Sequence, residues 1–413
     1  MRNDQFVCFR ELLFNVSENS PFYKEKFKKN GVDVNSITSM EQIKTLPFTV
    51  KEELRDAYPL GLQAVSDERI VRIHSSSGTT GKPIIIPYTA QDVDDWAEMM
   101  ARSFEIAGIT PLDRIQITPG YGLWTAGIGF QAGCERLGAM AVPMGPGNTD
   151  KQLQMMMDLK STVIIGTSSY ALVLAEEVEK RGICSGIYLK KGVIGSERWG
   201  EKMRQRIRTE LGIEIYDIYG LTEIYGPGIA IDCDCHEGMH YYDDYLYFEI
   251  IDSVTGEVLP EGEFGELVIT TLKKEGAPLI RYRTRDITRI IPGKCGCGRS
   301  YPRIDRIVGR TDDMVKVKGV NIYPGQIDEI LRDVDGVSSE YQIVIDHING
   351  KDVMTLKAEY NTDGDTERED IEADIVDLFK KRIGIHIIAE VSGLGTLPRS
   401  EKKSKRIIDY RHC

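Results

Sequence analysis

Between residues 110 and 220, short apolar runs alternate with amphipathic, helix-length segments. The runs are AMAVP (139–143), STVIIG (161–166), KGVIGS (191–196) and EIYDIYG (214–220). A hydrophobic period that keeps switching from strand to helix is satisfied by a sheet covered with helices. This alternation predicts a layered α/β sheet. From 239 to 310 the pattern becomes β-rich, with YLYFEIID, the turn VTGEVLPEGEFGE and LVITTL. Near Asp312 a second pattern begins. It reads strand, helix (YPGQIDEILRDV), strand (YQIVID), strand (VMTLKAEY), helix (366–382) and strand (HIIAEV), close to a small β-α-β-β-α-β module. A chain of 413 residues exceeds one ordinary core. The expectation is a large layered α/β N-terminal body with a β-rich portion, residues 1–311, and a small α+β C-terminal lid, residues 312–413.

Charge narrows the functional classes. The formal net charge is −12, opposite to the basic surplus of a nucleic-acid binder. No apolar run approaches the ~20 residues of a membrane span, and the N-terminal MRNDQFVCFRELLF lacks the apolar core of a signal peptide. The expectation is a cytoplasmic protein with no nucleic-acid or membrane partner, and a homodimer is left open. Four of the eight cysteines form two Cys-x-Cys pairs, Cys233/Cys235 and Cys295/Cys297. Such pairs in a cytoplasmic chain suggest a metal more than disulfides.

The stretch HSSSGTTGKP (74–83) has the composition of an anion cradle. Ser76, Ser77, Gly78, Thr79, Thr80 and Gly81 offer hydroxyls and backbone N–H groups, and Lys82 adds a charge. It is not a Walker loop: Gly78 and Gly81 are too close, and Pro83 stands where a Mg²⁺-binding hydroxyl belongs. Strand-like RIVRIH (69–74) enters the loop and PIIIPY (83–88) leaves it, so it connects two strands. Thr89 is placed to cap the next helix, whose Val93, Trp96, Met100 and Phe104 form a core-facing stripe. Thr49 is likewise placed to cap a helix over KEELRDA.

SSSGTTGKP resembles the signature loop of the acyl-adenylate-forming enzymes, and further motifs follow in the family's order. IYGLTE (218–223) resembles Y-G-x-T-E. The resemblance implies that Asp217, Ile218, Tyr219 and Gly220 lie along the nucleotide, that Thr222 contacts the α-phosphate and that Glu223 holds Mg²⁺. RYRTRD (281–286) resembles Y-x-T-G-D, with Asp286 as ribose ligand and Arg285 replacing glycine; a surface pair of Arg283 or Arg285 with Asp286 is the plain alternative. GRTDDMVKVKGVNIYPGQIDEIL (309–331) resembles the hinge motif, with Arg310 near the ribose and Asp312 as pivot. Pro324 then opens a helix. LPRSEKKSKRIID (397–409) resembles the last motif. Its catalytic lysine falls on Lys403, with Lys402 in the family's glycine position.

The chain is most similar to the phenylacetate–CoA ligase branch, in SPFYKEKF, LPFTVKEELRDAYPLGL, GYGLWTAGIG, YGPGIAIDC and DDMVKVKGVNIYP. In GYGLWTAGIGF the resemblance implies an acid pocket at Tyr121, Gly122, Trp124 and Ala126. Gly195, Ser196 and Glu197 would lie along the adenine. A structural Zn²⁺ on Cys233, His240, Cys295 and Cys297 is implied, with Cys235 and His236 as substitutes. The activity implied is ATP-dependent activation of an aromatic carboxylic acid to an acyl-adenylate, then transfer to coenzyme A. The alternative is an adenylating enzyme that passes the acyl group to a carrier protein or amine, or adenylates a cofactor.

Overall fold

The structure is a computed structural model and describes residues 3–76, 82–197, 199–348, 351–361, 367–399 and 406–411. The chain divides into two compact units. One comprises residues 1–145, 161–165 and 216–307; the other comprises 146–160, 166–215 and 308–413.

In the first unit the helices Asn3–Asn19 and Pro21–Asn30 bury Phe9, Leu13, Val16, Tyr23 and Phe27 against Met40, Ile43, Leu46, Leu272 and Ile280. The short helix Lys51–Asp56 follows, but Thr49 does not cap it. Val50 is the N-cap residue, and its N–H donates to Glu53 Oε2 at 3.0 Å. Thr49 is fully buried; it donates through Oγ1 to the Ile280 carbonyl (2.8 Å) and bridges to Tyr282. The Ile280 carbonyl, distant in sequence, has claimed the hydroxyl that local sequence assigns to a cap.

The strands Ile70–Ser75 and Ile85–Thr89 pair antiparallel, so the loop of interest does join two strands. Thr89 caps the helix Ala90–Ile106 as expected, accepting from the Asp92 N–H, and Trp96, Met100 and Phe104 are buried while Val93 is partly so. Arg114–Ile117 runs parallel to Met140–Pro143 and to the strand Val163–Thr167, and the helix Ala126–Leu137 lies between the first two in sequence. Gly129 permits that helix to pack on Ala90–Ile106, since a Cβ there would lie 2.1 Å from the Trp96 ring. Glu214–Leu221, Gly226–Asp232, Met239–Tyr241 and Arg303–Ile304 pair antiparallel in succession. A separate antiparallel set is formed by Leu246–Ile251, Gly265–Thr271 and Tyr282–Thr288.

The second unit contains the helices Thr149–Asp158, Ser168–Arg181 and Glu201–Leu211 and the strand Lys191–Gly195. Its C-terminal part has a core of its own, including Ile327, Ile330, Ile343, Ile345, Leu356, Ile371 and Phe379. There the four-stranded sheet runs in the order Ile388–Gly393, Lys351–Tyr360, Val337–Ile348, Ile407–Asp409. The helices Pro324–Arg332, opened by Pro324, and Arg368–Arg382 pack on the same core. The expected β-α-β-β-α-β order needs one correction. Its first strand is a separate hairpin, Val315–Val317 with Val320–Ile322, and Ile407–Asp409 from the basic C-terminal motif fills the sheet edge. The two hairpin arms pair with each other, Val315 with Ile322 and Val317 with Val320, whereas Ile407 and Ile408 pair in parallel with Ile343 and Val344.

Candidate active site and cysteine–histidine cluster

In the first unit the Y-G-x-T-E motif occupies the end of the strand Glu214–Leu221 and the turn after it. Gly220 is required by a close approach: a Cβ there would sit 2.1 Å from the Gly226 carbonyl oxygen on the paired strand. Tyr219 is buried, and its hydroxyl donates to Asp286 Oδ2 at 2.5 Å, uniting two motifs 67 residues apart. The Asp286 N–H also donates to Thr284 Oγ1 at 3.1 Å. Asp217 and Ile218 lie on the same strand, Ile218 buried. Thr222 Oγ1 is 3.3 Å from Thr125 Oγ1, bringing the motif to the GYGLWTAGIGF segment. In that segment Tyr121 and Gly122 are exposed, Trp124 is half-buried, and Ala126 is buried at the helix start.

Glu223 is 4% exposed. Its Oε1 lies 3.1 Å from Lys51 Nζ, an ion pair without hydrogen-bond alignment, and has no hydrogen-bond partner among the described residues. A buried carboxylate oxygen facing only a misaligned cation suits a hard metal ion. Thr222 next to it offers a second oxygen donor. Lys51, the first residue of the helix Lys51–Asp56, lies in a segment similar to the family but is given no role by the sequence.

Arg283 pairs with Glu266 and Arg285 with Glu52, and Asp286 accepts from Tyr219. Arg285 has φ 68°, in the left-handed region, which explains why the family pattern has glycine there. In the anion loop, Ser76 accepts the Ile84 N–H through Oγ, and Lys82 is exposed with its ammonium 5.6 Å from the Tyr58 ring centre. Ser77, Gly78, Thr79, Thr80 and Gly81 lie outside the described residues, as do Lys402 and Lys403.

At the base of the anion loop, His74 is buried and donates through Nδ1 to the Leu123 carbonyl (3.1 Å). Burial lowers its pKa, so the ring is neutral, and Nε2 has no partner. In the second unit Gly195 is buried and Ser196 has φ 72°. Glu197 Oε1 accepts from the N–H and Oγ of Ser169 (2.7 and 2.5 Å) at the start of the helix Ser168–Arg181. Arg310 Nε donates to Asp312 Oδ1 at 2.9 Å. The expected ribose contact and pivot are therefore joined as an ion pair.

The two Cys-x-Cys segments converge in the first unit. Ligand atoms of Cys233, His240, Cys295 and Cys297 all lie within 4.8 Å of one another. Cys233 Sγ is 3.6 Å from Cys295 Sγ, and Cys297 Sγ is 3.3 Å from His240 Nε2. Tetrahedral zinc with bonds of ~2.0–2.3 Å separates its ligands by roughly 3.3–3.8 Å, so the cluster fits that ion. His240 Nδ1 donates to the Tyr301 carbonyl (3.0 Å), which leaves Nε2 to the cluster. His236 is held instead by Asp232 at 2.7 Å.

Comparison with known proteins agrees with this geometry. The AMP-binding enzyme family profile matches residues 13–272, and the AMP-binding enzyme C-terminal domain profile matches residues 319–411. The phenylacetate-coenzyme A ligase of Pseudomonas putida is 41% identical over 417 residues, covering 100% of this chain and 94% of its own length. The chain belongs to the phenylacetate–coenzyme A ligase family. The Escherichia coli K12 phenylacetate-coenzyme A ligase is also 41% identical, over 97% of this chain and 92% of its own. Among solved structures, 2-hydroxyisobutyryl-CoA ligase in the postadenylation state with 2-HIB-AMP superposes with a TM-score of 0.89 at 27% identity, covering 98% of this chain and 89% of that one. Family members are thus AMP-forming acid–CoA ligases on a mixed α/β body with a C-terminal α+β module. Among the described residues no helix is long and apolar enough to cross a membrane.

Proposed function

We propose that this protein activates an aromatic, phenylacetate-like carboxylic acid with ATP, forming an acyl-adenylate and pyrophosphate, and then transfers the acyl group to coenzyme A. The observation that carries this reading is the buried Glu223 carboxylate with an unsatisfied oxygen, beside Thr222, in a chain alike over its full length to phenylacetate-coenzyme A ligases. The chemical obstacle is bringing a carboxylate onto a polyanion. Residues 76–82 supply donors to the β- and γ-phosphates, which leave together as pyrophosphate. Thr222 donates to the α-phosphate, and Lys403 neutralises charge where the carboxylate attacks. Tyr219 lies along the adenine, and Asp286, oriented by the Tyr219 hydroxyl, accepts from the ribose. Glu223 would hold Mg²⁺, which neutralises phosphate charge when bound. Tyr121, Gly122, Trp124 and Ala126 line the acid pocket, where an aromatic wall packs on a flat acid.

The thiol of coenzyme A then attacks the acyl carbon and AMP leaves. Asp312 is the pivot by which the lid, residues 312–413, withdraws Lys403 and presents Lys318, Gly319 and Val320. Lys318 and Gly319 form a tight turn, both with positive φ, between the two arms of the short hairpin. Cys233, His240, Cys295 and Cys297 would hold a structural zinc ion, which ties residues 233–240 to 295–297.

Pyrophosphate release measured across a panel of carboxylic acids, with and without coenzyme A, tests this reading. Release with aryl-acetic acids that coenzyme A accelerates is expected. Release indifferent to coenzyme A would transfer the function to another acceptor, and no release with any acid would refute it.

A further inference from the structure

We propose that Lys274 is a positioning residue for adenylation: from a buried seat between Tyr88 and Tyr225 it holds the Ile224 carbonyl and so sets the turn that carries Thr222 and Glu223. The inference rests on the role given above to that turn. Lys274 belongs to none of the motifs described and lies in LKKEGAP, between two strands of the first unit. It is 2% exposed, and its ammonium donates to the carbonyl oxygen of Ile224, the residue after Glu223. The Nζ sits 4.1 Å from the centre of the Tyr88 ring and 4.5 Å from that of Tyr225.

The next carbonyl is held as well. Tyr88 Oη donates to the Tyr225 carbonyl at 2.9 Å. Two consecutive carbonyls after Glu223 are therefore gripped by side chains from other parts of the unit. The turn itself is closed by the Ile224 N–H on the Leu221 carbonyl (3.1 Å). The segment bearing Lys274 is anchored in turn. The Glu275 and Gly276 N–H groups donate to the two oxygens of buried Asp92 (2.7 and 2.8 Å), and Thr89 Oγ1 donates to Glu275 Oε2 (2.7 Å). Asp92 and Thr89 are the capping pair of the helix Ala90–Ile106. A chain of direct contacts thus runs from a helix start through Lys274 to the turn.

Packing alone does not call for an ammonium here. A buried charge with so few acceptors is disfavoured against an apolar side chain of the same length. The ammonium supplies what methionine would not: a donor on Ile224 and a positive charge in the field of Glu223 and Asp92.

The test is steady-state pyrophosphate release by the full chain with phenylacetate, ATP, Mg²⁺ and coenzyme A, comparing the parent, Lys274→Met and Lys274→Gln. Lys274→Met is expected to lower kcat about 10-fold or more while the acid KM stays within about twofold, because the hydrogen bond to the Ile224 carbonyl, remote from the acid, is lost. Lys274→Gln keeps an N–H donor and loses less. A kcat of Lys274→Met within about twofold of the parent, or equal losses in both variants, overturns the proposal. Should Lys274→Met not fold, Tyr88→Phe removes the second donor on the same turn; a selective kcat loss is expected there and an unchanged kcat overturns the proposal. A parent inactive with every acid refutes the ligase reading alone. Lys274 is then judged by calorimetric ATP binding with and without Mg²⁺: the gain from Mg²⁺ shrinks in Lys274→Met, and an unchanged gain overturns the proposal.

Discussion

Replacing Lys274 by methionine isolates the free energy of one buried charge. Burial lowers the Lys274 pKa from the ordinary 10.5 to about 7, against the opposing pull of Asp92 and Glu223. Below pH 7 the lysine is charged in both folded and unfolded chains, and the full burial cost is present. Between about 7 and 10.5 the unfolded chain binds the extra proton, so the parent's stability rises with pH across that window. The net lowering, burial less the pull of the two carboxylates, amounts to about 5 kcal/mol. The faces of Tyr88 and Tyr225 offset up to about 2 kcal/mol each. Methionine has the length without the charge. The unfolding free energy of the parent minus that of Lys274→Met should therefore rise by up to about 3.5 kcal/mol from neutral pH to pH 10, less by whatever the two rings offset. Urea unfolding of both proteins at stepped pH measures it, and the subtraction cancels groups common to both. Tyr88 and Tyr225 are pushed well above their ordinary range by burial and do not titrate in the window. A difference that stays flat or falls with pH would refute the reasoning.

Four further outcomes follow from the site and its supports. Glu223→Gln keeps the shape but removes the charge, and adenylate formation should fall roughly 10²-fold in a pyrophosphate assay. Tyr219→Phe removes the 2.5 Å hydrogen bond to Asp286 and should raise the KM for ATP about 5-fold or more, with acid KM unchanged. Arg281→Met strands Glu249, its 3.0 Å partner; both side chains are at most 4% exposed, and urea unfolding should show a loss of about 3–5 kcal/mol. Cys295→Ala should abolish zinc measured by elemental analysis and lower the thermal midpoint; a chain that purifies with no zinc and is unaffected by a chelator would refute the structural-zinc reading.

Local patterns made much of the protein legible. The hairpin flanking the anion loop, the Thr89 cap, the apolar stripe after it and the Pro324 helix start all depend on nearest neighbours in sequence, and all appear as read. The resemblance gives Tyr219 and Asp286 separate places along the nucleotide; that the two side chains hydrogen-bond to each other comes from the structure. The readings that changed involve distant partners. Thr49 looks like a cap because capping is local, but the strand Tyr282–Thr288 offers its backbone more than two hundred residues later. The segment Ile407–Asp409 reads in sequence only as the end of the last motif, and its place in the sheet depends on the edge that Val337–Ile348 presents to it.

By itself the sequence determined the α/β pattern, the order of the motifs and the residue types able to meet phosphate, Mg²⁺ and zinc. Spacing along the chain carries that information, because helices, strands and tight turns are set within a few residues. Tertiary structure brought together Cys233, His240, Cys295 and Cys297, the four that the family resemblance names, while His236 hydrogen-bonds to Asp232. It also placed Lys51 beside Glu223 and buried Lys274 behind it. Neither lysine differs locally from the surface lysines around it. Their environment is made by elements remote in sequence, and only folding brings those elements together.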